Sequence, residues 1–509
     1  MKCDFLLLRT LSAFNLLKQV GFALLLLGIN LTSHAQPPDT LWTRRYGTQN
    51  HDIAYSVAQL RDGSFIMAGK TWNFESFETR NSDAYVVKID SLGNEIWSHS
   101  WGTNYSDGIN KILVLEDGYL AAGTYGRYPP SPPEPSLGWL LRLDSFGDTI
   151  WTATVGHDTG FAWFEDMIAV EADNFVTIGR CFANGFSNFW MVKFNSDGDT
   201  LWTQSLGGNS SEYGWAITLA QDGGYVACGY TGSFGAGAYD SWLIKVSPDG
   251  DSLWSHSYGY YFSEETRAIA RAQDGGFFLG GYTSSYSHGY DDAWIVRTDS
   301  DGNFLWDTHF ASPSVEGQLD FYAIVATEDG GAVGVGQNNP ASTNGQALFM
   351  GKVDSTGDSV WARSWFQSWY SYGEGLTSLS DGGFAAVGTA DWHTRYEAYT
   401  TGDIWFLRIS PDMSPVSPSA PFLPSQLKLS VFPNPFNSTL SISLNVPLHQ
   451  DVTVSLYDLL GREVDVVYRG RLASQTISYV APAGFASGVY FLRASANSQS
   501  VLGKVVLLK

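Results

Sequence analysis

Residues 215–231, WAITLAQDGGYVACGYT, and residues 240–259, DSWLIKVSPDGDSLWSHSYG, decide the fold of this chain. An apolar run breaks at Asp222-Gly223-Gly224 and resumes as YVACGYT. After a loop comes DSWLIKV, a second tight turn at Pro248-Asp249-Gly250-Asp251, and a strand carrying Trp254. Asp-Gly between two apolar runs is a strong hairpin signal, because glycine accepts the positive φ that the turn demands. The unit therefore reads as four short antiparallel strands. Working outward, the same phrase recurs as LWTRRYG, IWSHSWG, IWTATVG and LWTQSLG, and its tryptophans are Trp42, Trp97, Trp151, Trp202, Trp254, Trp306 and Trp361. Their spacings are 55, 54, 51, 52, 52 and 55 residues. The first turn returns at Asp62-Gly63, Asp117-Gly118, Asp274-Gly275, Asp329-Gly330 and Asp381-Gly382, with Asp173-Asn174 in the third unit.

The third strand of each unit is as regular. Its aromatic residue is Tyr85, Trp139, Trp190, Trp242, Trp294, Phe349 or Trp405, and three residues on stands Lys88, Arg142, Lys193, Lys245, Arg297, Lys352 or Arg408. An odd offset along a strand puts the two on opposite faces, so the cations read as a structural ring of paired surface charges. Seven repeats of four strands predict an all-β fold, a seven-bladed β-propeller. We name the strands of each blade A to D from the axis outward, with the tryptophan on D. The array begins with a lone D strand, residues 41–47, and ends with A, B and C only, within 375–410. The N-terminal strand is expected to close the last blade and leave no open edge.

The repeats resemble the tryptophan-containing propeller repeats of bacterial secreted proteins. DSTGDSVW (354–361) and DSDGNFLW (299–306) are also similar to the strand-turn-strand signature of quinoprotein propellers. That second likeness is one of fold alone, since no quinone-site residues map onto this chain and the adjacent cysteine pair of many members is missing.

Bulk composition agrees with many strands and tight turns: 54 Gly, 19 Trp, 26 Tyr and 30 Phe in 509 residues. The net charge of −22 disfavours a nucleic-acid partner. Residues 1–35 read as a secretory signal: Lys2, Arg9 and Lys18 are basic, Val20–Leu31 is apolar but too short to span a bilayer, and Ser33-His34-Ala35 is a small-residue cleavage site. No later stretch reads as transmembrane. Cys181 and Cys228 fall at different points of their repeats and read as buried free thiols.

The propeller is assigned to 36–410 and a Pro/Ser-rich linker to 411–426, after which all tryptophan ceases. Residues 427–509 read as a small Ig-like β-sandwich. Within it, VFPNPFNSTLSISL (431–444), VSLYDLLGREV (454–464), GFASGVYFLRA (484–494) and KVVLLK (504–509) resemble, in order, the C-terminal sorting domain of the type IX secretion system. Pro433, Asn434, Pro435, Gly461, Gly488, Tyr490 and Lys504 fall on that family's recurring positions. The resemblance implies export across the outer membrane of a Gram-negative-type bacterium to the cell surface or medium, with the secretion machinery as partner.

No nucleophile elbow, zinc-helix or dinucleotide motif is present, and no cofactor or metal site is read. Residues 63–71 imitate a phosphate loop but hold one residue too many and lie on a hairpin strand. The C–D turns gather carboxylates but lack calcium-loop spacing. His99 and His256 occupy one repeat position, and repeat-equivalent residues in separate blades are not expected to converge.

Propeller topology puts the D–A and B–C loops on one face. These are the longer, more variable set, where function sits on a rigid scaffold. Their aromatic residues Trp72, Tyr105, Trp163, Tyr213, Tyr261, Tyr290, Trp369 and Trp392 are the candidate ligand-binding residues. Two function classes follow: a non-catalytic propeller that binds glycan or protein through this face, or a polysaccharide-cleaving hydrolase or lyase at the axis. The second would draw on Asp107, Glu165, Asp166, Glu212, Glu264, Glu265, Asp320 or Glu374, two of which would have to meet in one cleft.

Overall fold

The computed structural model describes residues 37–508 except 77–78, 104, 127–135, 157–160, 184, 288–289, 313–316, 341–344, 368–369, 392–401, 412–427, 446–449, 473–474, 483 and 497–498. Residues 1–35, read above as a secretory signal, and the proline-rich run at 129–135 lie outside the described residues. Seven four-stranded antiparallel sheets make the propeller. Their A strands are His51–Gln59, Gly108–Leu115, Ala162–Val170, Glu212–Leu219, Glu264–Arg271, Gln318–Ala326 and Ser371–Ser378. In six sheets A, B, C and D follow in chain order.

The seventh sheet closes as the repeat count requires. Its D strand is Thr40–Tyr46, paired antiparallel with the final C strand Gly402–Ile409, with Trp42 opposite Arg408 and Arg45 opposite Trp405. Trp42 stacks on Phe406 at 4.9 Å, and Thr43 Oγ1 donates to the carbonyl of Phe406 at 2.9 Å.

The invariant tryptophans and cations now have a physical role. Across each C–D pair the cation faces the D-strand tryptophan, as with Lys88 and Trp97, Lys245 and Trp254, and Arg297 and Trp306. Five of the cations reach back to the aspartate of their own blade's A–B turn, among them Lys245 to Asp222 at 2.5 Å and Lys352 to Asp329 at 2.6 Å. Six of the seven tryptophan indoles, all but Trp361, also cover the C–D turn of the next blade. Gly302, at φ +78°, sits so close under Trp254 that a Cβ there would lie 2.8 Å from the ring. Only glycine satisfies both the turn and that approach. One repeated residue thus locks a blade to its neighbour.

The cores lie between adjacent sheets. Phe164 stacks on Trp190 at 5.0 Å within a cluster that includes Leu120, Leu140 and Val192. Cys181 and Cys228 are buried, unbridged and in different blades. Burial pushes the Cys228 thiol far up, so it is inert.

The tail forms two facing sheets. One holds Lys428–Phe432, Thr439–Asn445 and Gln475–Val480, and the other Glu463–Leu472, Gln450–Tyr457, Gly488–Ala496 and Gln499–Leu507. Leu440, Ile442, Val454, Leu456, Leu492 and Val505 fill the space between them. No helix among the described residues is long and apolar enough to cross a membrane.

Candidate functional site

Every A strand carries a β-bulge at the same place. Partner assignments skip one residue between Ala54 and Ser56, Ile109 and Lys111, Phe164 and Asp166, Gly214 and Ala216, Thr266 and Ala268, Phe321 and Ala323, and Gly373 and Gly375. The seven unpaired residues are Tyr55, Asn110, Glu165, Trp215, Arg267, Tyr322 and Glu374. A bulge re-aims one side chain out of the ladder's alternation. All seven line a single axial cavity of about 780 Å³. That volume is within the usual range for small-molecule sites.

Repeat-equivalent residues therefore do converge when they lie on the innermost strand. The opposite expectation, drawn from His99 and His256, holds only for the outer strands, where blades diverge.

The wall is built upward from this ring toward the D–A and B–C ends, through Lys70, Trp72, Ser82, Ser106, Gly108, Thr124, Ser136, Trp163, Arg180 and Tyr213, and no A–B turn residue contributes. Its aromatic and cationic groups alternate. The Arg180 guanidinium lies 3.9 Å from the Trp163 ring centre and 4.0 Å from that of Tyr213. Tyr213 in turn stacks on Trp215 at 4.2 Å. Lys70 sits over Trp72 at 4.4 Å and Tyr55 at 5.1 Å. Arg267 pairs with Asp320 at 2.6 Å and Glu265 at 3.5 Å, among the rings of Trp215, Tyr282 and Tyr322.

Of the eight aromatic candidates, the cavity brings together Trp72, Trp163 and Tyr213. Tyr261 projects from the surface at 80 % exposure, edge-on to Phe262. Tyr105 and Tyr290 are half-buried and outside the cavity wall. Trp369 and Trp392 lie outside the described residues.

The carboxylates divide into two groups. Asp107, Glu212 and Glu264 are buried clamps on the D–A loops: they accept the backbone N–H of the residue four before, Thr103 at 2.6 Å, Gly208 at 3.0 Å and Tyr260 at 2.8 Å. Asp52 does the same for Thr48 at 2.7 Å. The acid–base candidacy of those three residues is thereby corrected, even where Asp107 touches the cavity wall, because their oxygens are committed to loop geometry. Asp166 is likewise spent on Lys111 at 2.9 Å and the Ile217 N–H at 3.0 Å. Glu165 and Glu374 remain as cavity acids. Tyr213 O–H donates to Glu165 at 2.5 Å and Asn110 Nδ2 donates at 3.0 Å. Glu374 has no hydrogen bond or ion pair to a described residue.

Burial dominates the protonation of these groups. It raises Glu165, against the hydrogen bond from Tyr213 and the charges of Arg180 and Lys70. It lifts Glu374 to about 7, opposed by Arg267 and Lys70, and Asp240, buried at the start of the C strand of blade four, to about 6. Burial lowers Lys70 to about 8. Each raised carboxyl takes up a proton on folding between the ordinary carboxylate range and its own value. Stability contributed by Glu374 and Asp240 is therefore greatest at the acid end of that window and falls as pH climbs through it. Lys70 acts only above about 8, where stability recovers as the unfolded lysine also loses its proton. The thermal midpoint is expected to be higher at pH about 5 than at about 7.5, and Glu374→Gln to shrink that difference. A midpoint that rises between those two pH values contradicts the assignment.

The tail positions its recurring residues around the last strand. Asn434 Nδ2 donates to the carbonyl of Lys504 at 2.8 Å, and its Oδ1 accepts the N–H of Val506 at 2.8 Å. Pro433 and Pro435 flank it, and Phe436 continues the pairing to Val506 and Leu508. Gly461 turns the hairpin at φ +76°, and Tyr490 stacks on Phe485 at 5.8 Å while donating to the Ala486 carbonyl. Gly488 has open space where a Cβ would stand, and nothing in the structure explains the glycine. Residues 430–508 match the family model described as the secretion system C-terminal sorting domain. The tail is a type IX sorting domain. The sorting domain directs the chain to the type IX machinery, and the protein is secreted to the cell surface or the extracellular space.

Among curated proteins, the regulatory protein FlaEY of Caulobacter vibrioides is 23% identical over 268 residues, 49% of this chain. The chain spans about a quarter of that relative's length, 26%. Solved structures with similarity include a puromycin hydrolase, 13% identical with a TM-score of 0.43, covering 81% of this chain and 62% of that one. A complex of YCF48 with a peptide is 12% identical with a TM-score of 0.42, covering 74% and 99%. PorZ of Porphyromonas gingivalis, a surface component of the type IX secretion system, is 11% identical with a TM-score of 0.26, covering 90% and 81%. At such similarity the propeller assignment rests on the seven sheets and their closure.

Proposed function

We propose that this protein is a non-catalytic, surface-delivered propeller that binds a glycan in its axial cavity. The observation that carries this reading is the bulge ring: seven blades each turn one side chain into a cavity whose upper wall is the stack Trp163, Arg180, Tyr213, Trp215. Flat aromatic faces suit the apolar face of a pyranose ring, and ringed amide, carboxyl and guanidinium groups suit its hydroxyls. Buried polar groups left waiting for partners give such a site its selectivity.

The test is calorimetric titration of the mature chain against a panel of oligosaccharides, preceded by a glycan-array screen. At least one oligosaccharide is expected to bind, and Trp163→Ala to weaken it about tenfold or more, the effect of about 1.4 kcal/mol. Binding that Trp163→Ala leaves unchanged, or no binding at all, overturns the reading.

A second reading is favoured by one observation. Glu165 and Glu374 stand in the same cavity, both raised by burial, which is the setting of a general acid. If the protein cleaves its glycan, new reducing ends accumulate and Glu374→Gln abolishes them. If it binds only, the titrated glycan is recovered intact.

A further inference from the structure

We infer that the axial cavity selects a saccharide bearing a single carboxylate, a uronate-type sugar, with Lys70 and Arg180 receiving the acid group. This rests on the glycan-binding reading and specifies its ligand.

Two cations in the wall are in direct contact with no protein carboxylate, although Glu165 and Glu374 stand across the same cavity. Lys70 and Arg180 make no hydrogen bond or ion pair with a described residue. Both are instead gripped by ring faces, Lys70 by Trp72 and Tyr55, Arg180 between Trp163 and Tyr213. A guanidinium stacked on both faces keeps its N–H groups at the rim of its plane, the geometry that grips a planar carboxylate through two parallel bonds. Its Nε is buried and lacks an acceptor. By contrast, the third cavity cation, Arg267, is already neutralised by Asp320 and Glu265. Leaving a largely enclosed cation, and above all the buried Arg180 Nε, without an acceptor is costly, and a ligand anion would remove that cost.

The wall's own carboxyls do not fill this role. Glu165 spends its oxygens on Tyr213 and Asn110. Glu374 faces Lys70, Arg267, Asp320 and Glu165, and burial leaves it only about half ionised near neutrality. Both acids would still repel a second ligand charge, which sets a monoanion above a phosphate dianion. The net charge of −22 does not forbid an acidic ligand. At physiological salt, charges beyond about 8 Å are screened, so the groups at the cavity decide. Space is left at blade two: Gly108 stands where other blades place Trp163 or Tyr213, and its missing side chain opens the wall beside Lys70.

The experiment compares a uronate-containing oligosaccharide with its carboxyl-reduced twin and a sulfated neutral analogue, titrated into the full mature chain. The uronate is expected to bind about 10- to 100-fold tighter than the reduced twin, the range for charged hydrogen bonds. Lys70→Gln and Arg180→Gln should each collapse that ratio, and Lys70→Arg should retain it. The ratio should also shrink between pH about 6 and 9, as Glu374 gains charge and Lys70, facing Glu374 and Glu165, loses it. Equal binding of the twins, or equal binding of the sulfated analogue, overturns this inference and leaves the glycan reading standing. Failure of every saccharide to bind overturns both. Thermal melts of each variant exclude loss of fold as the cause.

Discussion

A mature chain that starts at Asn50 is expected to lose the cooperative unfolding of its propeller. The truncation removes Thr40–Tyr46, the outer strand of a sheet whose other three strands come from the far end of the array. With it go the Trp42–Phe406 stack, the acceptor for the Trp405 indole at Thr43, and the bond from Tyr46 O–H to the Gly93 carbonyl at 2.7 Å. Also lost are the anchors for blade six, where Arg363 donates to the Pro38 carbonyl at 3.0 Å and Trp365 to Thr40 at 2.8 Å. Deleting one large core aromatic costs about 3–5 kcal/mol, and whole domains hold only about 5–15 kcal/mol. Removing an entire strand therefore consumes most of the margin, and also bares a strand edge that invites aggregation. Calorimetry is expected to show a broad, low transition or none, partly restored when a peptide of residues 37–48 is added. Trp42→Ala should lie between, destabilised by about 3 kcal/mol. A truncated chain that melts with the full chain's midpoint and sharpness would mean the ring closes without this strand.

The second large effect is expected at Arg267→Met. Arg267 is held between Asp320 and Glu265 within three aromatic rings, and Asp320 is almost wholly enclosed. Burial already drives Asp320 upward, with the Arg267 charge as the main opposing influence. Removing one member of such a pair leaves a buried charge uncompensated and costs about 3–5 kcal/mol, more than the pair itself contributes against a well-packed apolar set. Urea denaturation is the measurement. Adding Asp320→Asn should recover a substantial part of the loss. Arg267→Lys should fall between, because an ammonium cannot stack on the Trp215 and Tyr322 faces as a planar guanidinium does. If the double variant is no more stable than Arg267→Met, the loss comes from the ring packing and not from the stranded carboxylate.

The repeat, the blade count, the borrowed strand and the sorting tail were all legible from residues alone. Each rests on a feature that repeats at fixed spacing or matches in order: the Trp phrase, the Asp-Gly turn, the C-strand cation. The cavity was legible only in part. Loop position pointed to Trp72, Trp163 and Tyr213, but also to Tyr261, which faces solvent. Carboxylates that look alike in sequence serve unlike ends, since Glu264 clamps a loop while Glu374 faces the axis. The ring itself was missed because period-two alternation assumes an unbroken ladder, and a bulge breaks that assumption at the very residue that matters. A signal did exist. Tyr55, Asn110, Trp215, Arg267, Tyr322 and Glu374 each stand seven residues before the aspartate of their A–B turn, and Glu165 stands eight before Asp173 because a short 3-10 turn at Glu171–Asp173 adds one residue.

Outside blade five, whose Arg267 is tied to buried Asp320, the bulged residue of a blade is nearly independent of what holds that blade together. Sheet pairing, interblade cores and the tryptophan locks involve other positions, so an exchange at any of the six apart from Arg267 leaves the frame standing and changes one sector of the axial chamber. A propeller built this way can be retuned by single substitutions, one compass point at a time. The chamber of any sibling with the same turns can be drafted from its letters before its coordinates exist.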